Sequence, residues 1–305
     1  MKKTTFSLTM LIMLMIAMLG SCSENSIERE FVKAAVDTMD AYGLFATGAE
    51  WEKAKSEALA SNPETFDESQ IIVRKALQVA GGKHSRLVVN SQSETTEVVN
   101  SKSGTTASVP MPTVTLRNDG ILVVKLPAFN LTGQKAIEYA QTVLDAIPAD
   151  LHGVVIDLRG NAGGNMYPML AAVHRFIPGE VVFAFKSRNR FYYVPVYGVT
   201  NNVNIPRMDY IDCPVAILMD SYTASSGEMV VLAFWGLDNV RTFGTNSAGY
   251  TTGNSTYELP QNSRLILTTS SVVTRNGKEF CNNCIEPNVR TSQPLEDALE
   301  WLKQQ

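Results

Sequence analysis

The hexapeptide Thr223-Ala-Ser-Ser-Gly-Glu228 sets two adjacent serines where the apolar run PVAILM gives way to SGEMVVLAFWGL, a change from strand-like to helix-like pattern. A serine at the mouth of a helix lies in the positive potential of the unpaired N–H groups, and the N–H of Ser226 is placed to meet developing negative charge. The same position also suits an N-cap, whose side chain accepts from the first turn. A second loop, Asp157-Leu-Arg-Gly-Asn-Ala-Gly-Gly164, follows the strand-like GVVID and opens another helix. Gly163 and Gly164 let a backbone approach a bound group closely and aim N–H groups at it, as an oxyanion requires. Without a ligand the loop reads as a tight strand-to-helix turn, and its spacing is not the dinucleotide-binding GxGxxG. Acyl transfer through a serine needs a base, and the three histidines, His84, His152 and His174, are all remote from the hexapeptide in sequence.

Rigid elements must position these loops. From Ile121 onward, ILVVKL, GVVIDL, VVFAF, PVAILM and RLILTTSSVV read as strands that are apolar almost throughout. Between and after them GQKAIEYAQTVLDAI, the run from Gly164 to Phe176, SGEMVVLAFWGL and LEDALEWLKQ read as helices. Buried strands separated by helices define an α/β layered domain. Residues 23–80 are helical in pattern, with apolar residues three and four apart in REFVKAAVDTMDAYGLF, AEWEKAKSEALA and ESQIIVRKALQVA. The polar stretch from Asn90 to Ser108 reads as a surface loop. No internal repeat is present.

The chain of 305 residues carries a net charge of −4. Its first residues, two lysines and then an apolar run from Phe6 to Leu19, have the layout of an export signal too short to span a bilayer comfortably. Leu19-Gly20-Ser21-Cys22 resembles a bacterial lipobox, which implies cleavage after residue 21, lipidation of Cys22 and a membrane-anchored chain in the cell envelope, facing periplasm or exterior. Loss of residues 1–21, with two lysines and no acids, takes the net charge from −4 to −6, so no nucleic-acid footprint is left. Cys281-Asn-Asn-Cys284 lacks the further thiolates or imidazoles that zinc needs and does not open a helix as a redox motif would. In an exported chain it reads as a structural disulfide, and neither a metal nor a cofactor is expected.

In order, LHGVVIDLRGNAGG, PVAILMDSYTASSGE, RTFGTNSAGYTTGN, ELPQNSRLILTT and CIEPNV resemble the core of the tail-specific, C-terminal-processing serine peptidases, which include the tricorn core peptidase. The resemblance runs from about Val73 to Val289. It implies a crotonase-like ββα-spiral core over residues 85–305 without an evident PDZ-like insert, preceded by a helical module over 22–84 and the signal over 1–21. It also implies that the nucleophile is Ser225, with Ser226 contributing its backbone N–H. Many members use a lysine base in a later Phe-Gly-Lys-Gly loop, where this chain has Tyr250, and a phenol is a poor base for a serine hydroxyl. The tricorn-like branch takes its base from a histidine in a Gly-rich loop, which GGKHSRL resembles, so that His84 becomes the general base. His152 and His174 are expected to be non-catalytic. Asn254 falls at a supporting glutamine of the family, and Glu228, Glu279 and Glu286 are the carboxylates open as a third member, beside a Ser–His dyad with none.

The resulting expectation is a cell-envelope serine peptidase acting on polypeptides. A catalytically silent member that binds peptides or envelope partners, and an esterase or acyl-transfer enzyme on the same core, are the alternatives.

Overall fold

A computed structural model describes residues 26–89, 109–196, 199–200 and 203–305. The export segment, the cleavage position and Cys22 lie outside the described residues. The chain divides into two units, Met1–Gln92 with Thr256–Leu267, and Ser93–Ser255 with Thr268–Gln305.

In the first unit, three helices form where the three- and four-residue spacing predicts them: α1 (Ile27–Tyr42), α2 (Gly48–Leu59) and α3 (Phe66–Gly81). Ser26 caps α1 by accepting from Arg29 N–H at 3.3 Å, and Thr65 caps α3 by accepting from Glu68 N–H at 3.2 Å. Phe31, Trp51, Val73 and Leu77 fill the core, and the buried Trp51 indole donates to Asp40 at 2.7 Å. After α3 a single 3₁₀ turn, Gly82–His84, leads into strand β1 (Arg86–Val89). That turn is tight: Gly82 has φ 59°, and Ser85 Oγ donates to Gly81 O at 2.9 Å. A Cβ on Gly81 would lie 2.1 Å from Ser85 Oγ, so only glycine fits there. Strand β1 pairs antiparallel with residues 263–266.

The second unit is a layered α/β structure. Its main strands are β2 (Thr113–Leu116), β3 (Ile121–Lys125), β4 (Gly153–Asp157), β9 (Val215–Met219), β10 (Val240–Gly244) and β14 (Val289–Arg290), in the order β14-β10-β9-β4-β3-β2. All neighbours are parallel except β2 and β3. Every residue of β4 and β9 is buried, as strands covered on both faces should be. One face packs on α4 (Gln134–Leu144), α5 (Met166–Val173) and α6 (Ser226–Ala233), and the other on α7 (Pro294–Leu302) through Ala298 and Leu302. A second, antiparallel set comprises β5 (Val181–Lys186) hairpinned to β6 (Phe191–Pro195), then residues 271–274 of β12 (Ser263–Thr274), and the short β13 (Glu279–Phe280). Strand β11 (Thr252–Leu259) also pairs with β12, and β7 (Val199–Thr200) with β8 (Val203–Asn204) forms a separate two-residue ladder.

His174 follows α5 as a buried structural pin. Its Nδ1 lies 2.7 Å from Ala171 O and its Nε2 accepts from Met208 N–H at 3.1 Å. A carbonyl only accepts and an amide only donates, so the ring is neutral with its proton on Nδ1. Burial, with Arg175 and Arg207 nearby, holds His174 below the ordinary histidine range. Because the folded state binds this proton less readily than the unfolded chain, the stabilisation is complete above about pH 6.5 and is lost as pH falls through the folded value. Thermal unfolding should therefore show a midpoint that drops between pH 7 and 5, with His174 contributing a slope of up to about 1.4 kcal/mol per pH unit. His174→Gln should flatten that dependence.

Candidate active site

The two loops leave the C-terminal ends of adjacent strands, since Asp157 of β4 stands opposite Leu218 of β9. They are then stitched together. Thr223 Oγ1 donates to Leu158 O at 2.9 Å, Ala224 N–H to Asn161 O at 2.9 Å, and Gly160 N–H to Asp220 Oδ1 at 3.1 Å. Asn161 is fully buried and holds its own loop, donating to Leu126 O and accepting from Gly163 N–H, both at 2.9 Å.

Ser225 stands at the N-cap of α6, but not in the extended conformation usual for a cap. Its φ is 51° and its ψ −116°. Positive φ costs a non-glycine residue roughly 1–3 kcal/mol, and such strain gathers at functional sites. A sharp strand-to-helix turn that lifts a serine hydroxyl at the head of a helix is the geometry of a nucleophile elbow. The hexapeptide's two serines have separate duties. Ser226 Oγ donates to Gly164 O at 2.6 Å, so its hydroxyl clamps the glycine loop to the helix, a role beyond the backbone one expected of it.

The glycine loop reaches the elbow itself. Gly163 has φ 102°, and a Cβ there would lie 2.9 Å from Ala224 O, Ser225 Cβ and Ser226 N. Gly164, with φ 118°, passes so close to Phe129 that a Cβ would lie 2.2 Å from its carbonyl oxygen. Gly163 N–H is engaged by Asn161 Oδ1, whereas the N–H groups of Gly164 and Ser226 donate to no described residue. Of the three donors expected from the sequence, these two are the ones available to a ligand oxygen.

Glu228, also at the start of α6, is the polar hub of the site. It is completely buried. Its Oε2 accepts from Ser225 N–H at 2.9 Å and Tyr250 N–H at 2.7 Å; its Oε1 accepts from Gly249 N–H at 2.8 Å and from the Ser247 hydroxyl. Ser247 Oγ in turn accepts from Ile285 N–H at 2.8 Å. Burial pushes the Glu228 carboxyl up and the four hydrogen bonds pull it back. All four partners are donors, and the Ser247 oxygen already accepts from Ile285, so the arrangement suits the ionised carboxylate. Both oxygens are thereby committed to the elbow and to the loop 247–250.

The other sequence candidates have surroundings of their own. His84 is half-buried in its 3₁₀ turn in the first unit. Tyr250, at the lysine position of the common branch, gives its backbone N–H to Glu228. Asn254 Oδ1 accepts from Thr268 Oγ1 at 3.0 Å across β11 and β12. Glu279 pairs with Lys186 at 2.7 Å and accepts from Ser271 Oγ at 2.6 Å, and Lys186 holds its carboxyl below the usual range. Glu286 is exposed. His152 Nδ1 lies 2.9 Å from Asp119 O in the turn before β4. The expected Cys281–Cys284 disulfide is not formed: both are free thiols. Cys281 is half-buried while Cys284 is exposed and accepts from Asn246 Nδ2 at 3.5 Å, and between them the backbone turns through Asn282 with φ 59°.

A strained serine on a strand-to-helix turn, set against a glycine loop with two N–H groups that donate to no described residue, is the arrangement that serine-type acyl transfer would use. The profile of Peptidase family S41 matches residues 120–291, more than half of the chain, and the chain belongs to that family. It is a serine-type peptidase, a hydrolase. It is 30% identical to the nisin-resistance protein of Lactococcus lactis subsp. lactis over 288 residues, covering 91% of this chain and 87% of that protein. Similarity to the carboxy-terminal processing protease CtpA of Bacillus subtilis (strain 168) is 24% over 198 residues, 64% of this chain and 40% of that one. Among solved structures, a lipoprotein from Streptococcus agalactiae superposes with a TM-score of 0.75 at 28% identity, covering 91% of this chain and 96% of that one. The photosystem II D1 C-terminal processing protease shares the fold, with a TM-score of 0.63 at 14% identity over 88% of this chain and 94% of that one.

Glu228→Gln tests the hub. The amide keeps the shape but turns an NH2 towards backbone donors, leaving buried N–H groups without acceptors. Destabilisation on the order of 3 kcal/mol is expected, read as a lowered thermal midpoint. An unchanged midpoint would mean that the carboxyl is protonated and the charge dispensable.

Proposed function

We propose that this chain is a cell-envelope serine peptidase in which Ser225 is the nucleophile and His84 its general base. The observation that carries the reading is the backbone of Ser225. A serine acting only as a cap has no need of φ 51°, because a cap is made in the relaxed extended region. Ser225 Oγ would attack a peptide carbonyl as its proton passes to the imidazole of His84. The new oxyanion would accept from Gly164 N–H and Ser226 N–H. Collapse would break the C–N bond, with the amine leaving as it takes the proton from His84, and water activated by the same ring would then free the acyl group. The choice of His84 is supported by the tyrosine at position 250, where the lysine base would stand, and by the Gly-rich turn of GGKHS, which only glycines at 81 and 82 permit.

The envelope location is supported by the apolar N-terminal run with Cys22, and by likeness to a streptococcal lipoprotein. Similarity to a nisin-resistance protein over nine-tenths of the chain supports an antimicrobial peptide such as nisin as the polypeptide substrate.

Labelling with a fluorophosphonate, followed by mapping of the modified residue, tests the pair. The label is expected on Ser225 and should fall by at least about a hundredfold in rate in His84→Ala, the scale of a lost general base. Absence of label on a folded chain would favour a silent, peptide-binding protein. Ser226→Ala keeps the nucleophile and its own N–H but releases Gly164 O, so labelling should persist at a rate reduced by about tenfold. Complete loss in Ser226→Ala with full labelling in Ser225→Ala would reverse the roles of the two serines.

A further inference from the structure

The segment Cys281-Asn-Asn-Cys284 carries a chemistry that the peptidase reading leaves unused. Both thiols are free, one half-buried and one exposed. The segment is fixed at its two ends. Upstream, Phe280 and Glu279 of β13 pair with Val272 and Val273 of β12. Downstream, β14 pairs with β10, and Asn288 is bonded through its side chain and its N–H to Thr242. Between these anchors the chain curls through Asn282, at φ 59°. A disulfide needs Cα atoms within about 7 Å of each other, so a curled segment suits it where an extended one would not.

What this segment touches is the loop that holds Glu228. The Thr251 hydroxyl donates to Asn283 O at 2.8 Å and accepts from Asn283 N–H at 3.2 Å. Thr252 Oγ1 donates to Asn282 Oδ1 at 3.5 Å. Cys284 Sγ accepts from Asn246 Nδ2, and Asn246 Oδ1 accepts from Arg290 at 2.6 Å. Ile285, the next residue, exchanges two bonds with Ser247: its N–H donates to Ser247 Oγ at 2.8 Å, and its carbonyl accepts from Ser247 N–H at 3.0 Å. Ser247 donates in turn to Glu228, which accepts from Ser225 N–H. From Cys284 to the elbow every link is therefore a covalent or a hydrogen bond, and all of them lie in the second unit.

We propose that Cys281 and Cys284 form a modification site for low-molecular-weight disulfides, and that closing a bond between them loosens Ser225. The exposed Cys284, as thiolate, attacks one sulfur of the small disulfide, which gives a mixed disulfide and releases one thiolate. Cys281, as thiolate, then attacks Cys284 Sγ and expels the second. Two protein thiols are oxidised, one small disulfide is reduced to two thiols, and the protons lost by the cysteines end on the released thiols. Entry falls to Cys284 because burial, with Glu279 nearby, pushes the Cys281 thiol up and leaves less of its thiolate. Cys213 takes no part, since burial pushes its thiol up to about 12.

Closure draws Cys284 Sγ away from Asn246 and tightens the backbone between the cysteines. With both ends anchored, the displacement falls on the bonds to Thr251 and Ser247. A Ser247 drawn off Glu228 leaves the buried carboxylate one donor short, and the turn that keeps Ser225 at φ 51° slackens. A ring closed against such bonds is strained and lies at the surface, so small thiols reopen it.

The inference rests on the peptidase reading for only one of its three readouts. The chain is reduced with dithiothreitol, oxidised with glutathione disulfide and reduced again. Peptide mass mapping should find Cys281 joined to Cys284 after oxidation. Backbone hydrogen exchange in the peptides holding Ser225, Gly249 and Tyr250 should quicken by about tenfold, and fluorophosphonate labelling of Ser225 should slow by about as much, the scale of one lost hydrogen bond; both should return on reduction. Cys284→Ser should label within about twofold of the reduced parent and show neither change with glutathione disulfide. Cys281→Ser should take up one glutathione on Cys284 without the response, which separates ring closure from simple adduct formation. A Cys281–Cys284 bond that leaves exchange unaltered, a glutathione adduct with no bond between the cysteines, or an equal response in Cys281→Ser would overturn the site. If Ser225 takes no label in any state, yet exchange follows this pattern, the peptidase reading fails and the thiol site stands.

Discussion

The loops around Ser225 depend on one buried charge. Glu228 gathers the elbow, through Ser225 N–H, and the loop after β10, through Ser247, Gly249 and Tyr250; Ser247 extends the network to Ile285. A carboxylate without water is costly unless its lone pairs are occupied. Here four donors occupy them, so three segments distant in sequence must close together for the charge to be tolerated. The same bonds help hold Ser225 at its disfavoured φ, which a lone turn would relax.

Beneath that hub, the parallel sheet sets the spacing. Adjacent strands β4 and β9 deliver one loop each to the same C-terminal end of the sheet, the usual place for a site in an open α/β structure. Thr223 to Leu158 O, Ala224 N–H to Asn161 O and Gly160 N–H to Asp220 then fasten loop to loop without involving the serine hydroxyl. Ser225 is thus mounted on bonds that leave its hydroxyl uninvolved.

Much of this was legible in the sequence. Apolar periodicity marked the helices of both units and the buried strands β4 and β9, because burial on both faces leaves no polar position to confuse the pattern. The paired glycines announced close backbone approach, and positive φ at both Gly163 and Gly164 bears that out. Less visible were roles set by tertiary contact. Glu228 looked like any acid in a first helical turn, and nothing local revealed that its partners lie some twenty residues on. Gly163 and Gly164 could not be told apart until Asn161 was seen to take one N–H. The spacing of Cys281 and Cys284 suggested a bond, yet spacing carries no direction, and Cys284 turns outward to Asn246.

Pro195 gives the hairpin a property of a different kind. An aromatic edge with free backbone groups can seed fibrillar growth when it is long enough for copies to stack strand upon strand. This one, the outer edge of β6, runs from Phe191 and is shut at Pro195 by an imino acid with nothing to donate. It is too short for copies to stack strand upon strand, so its aromatic surface cannot become a template for growth.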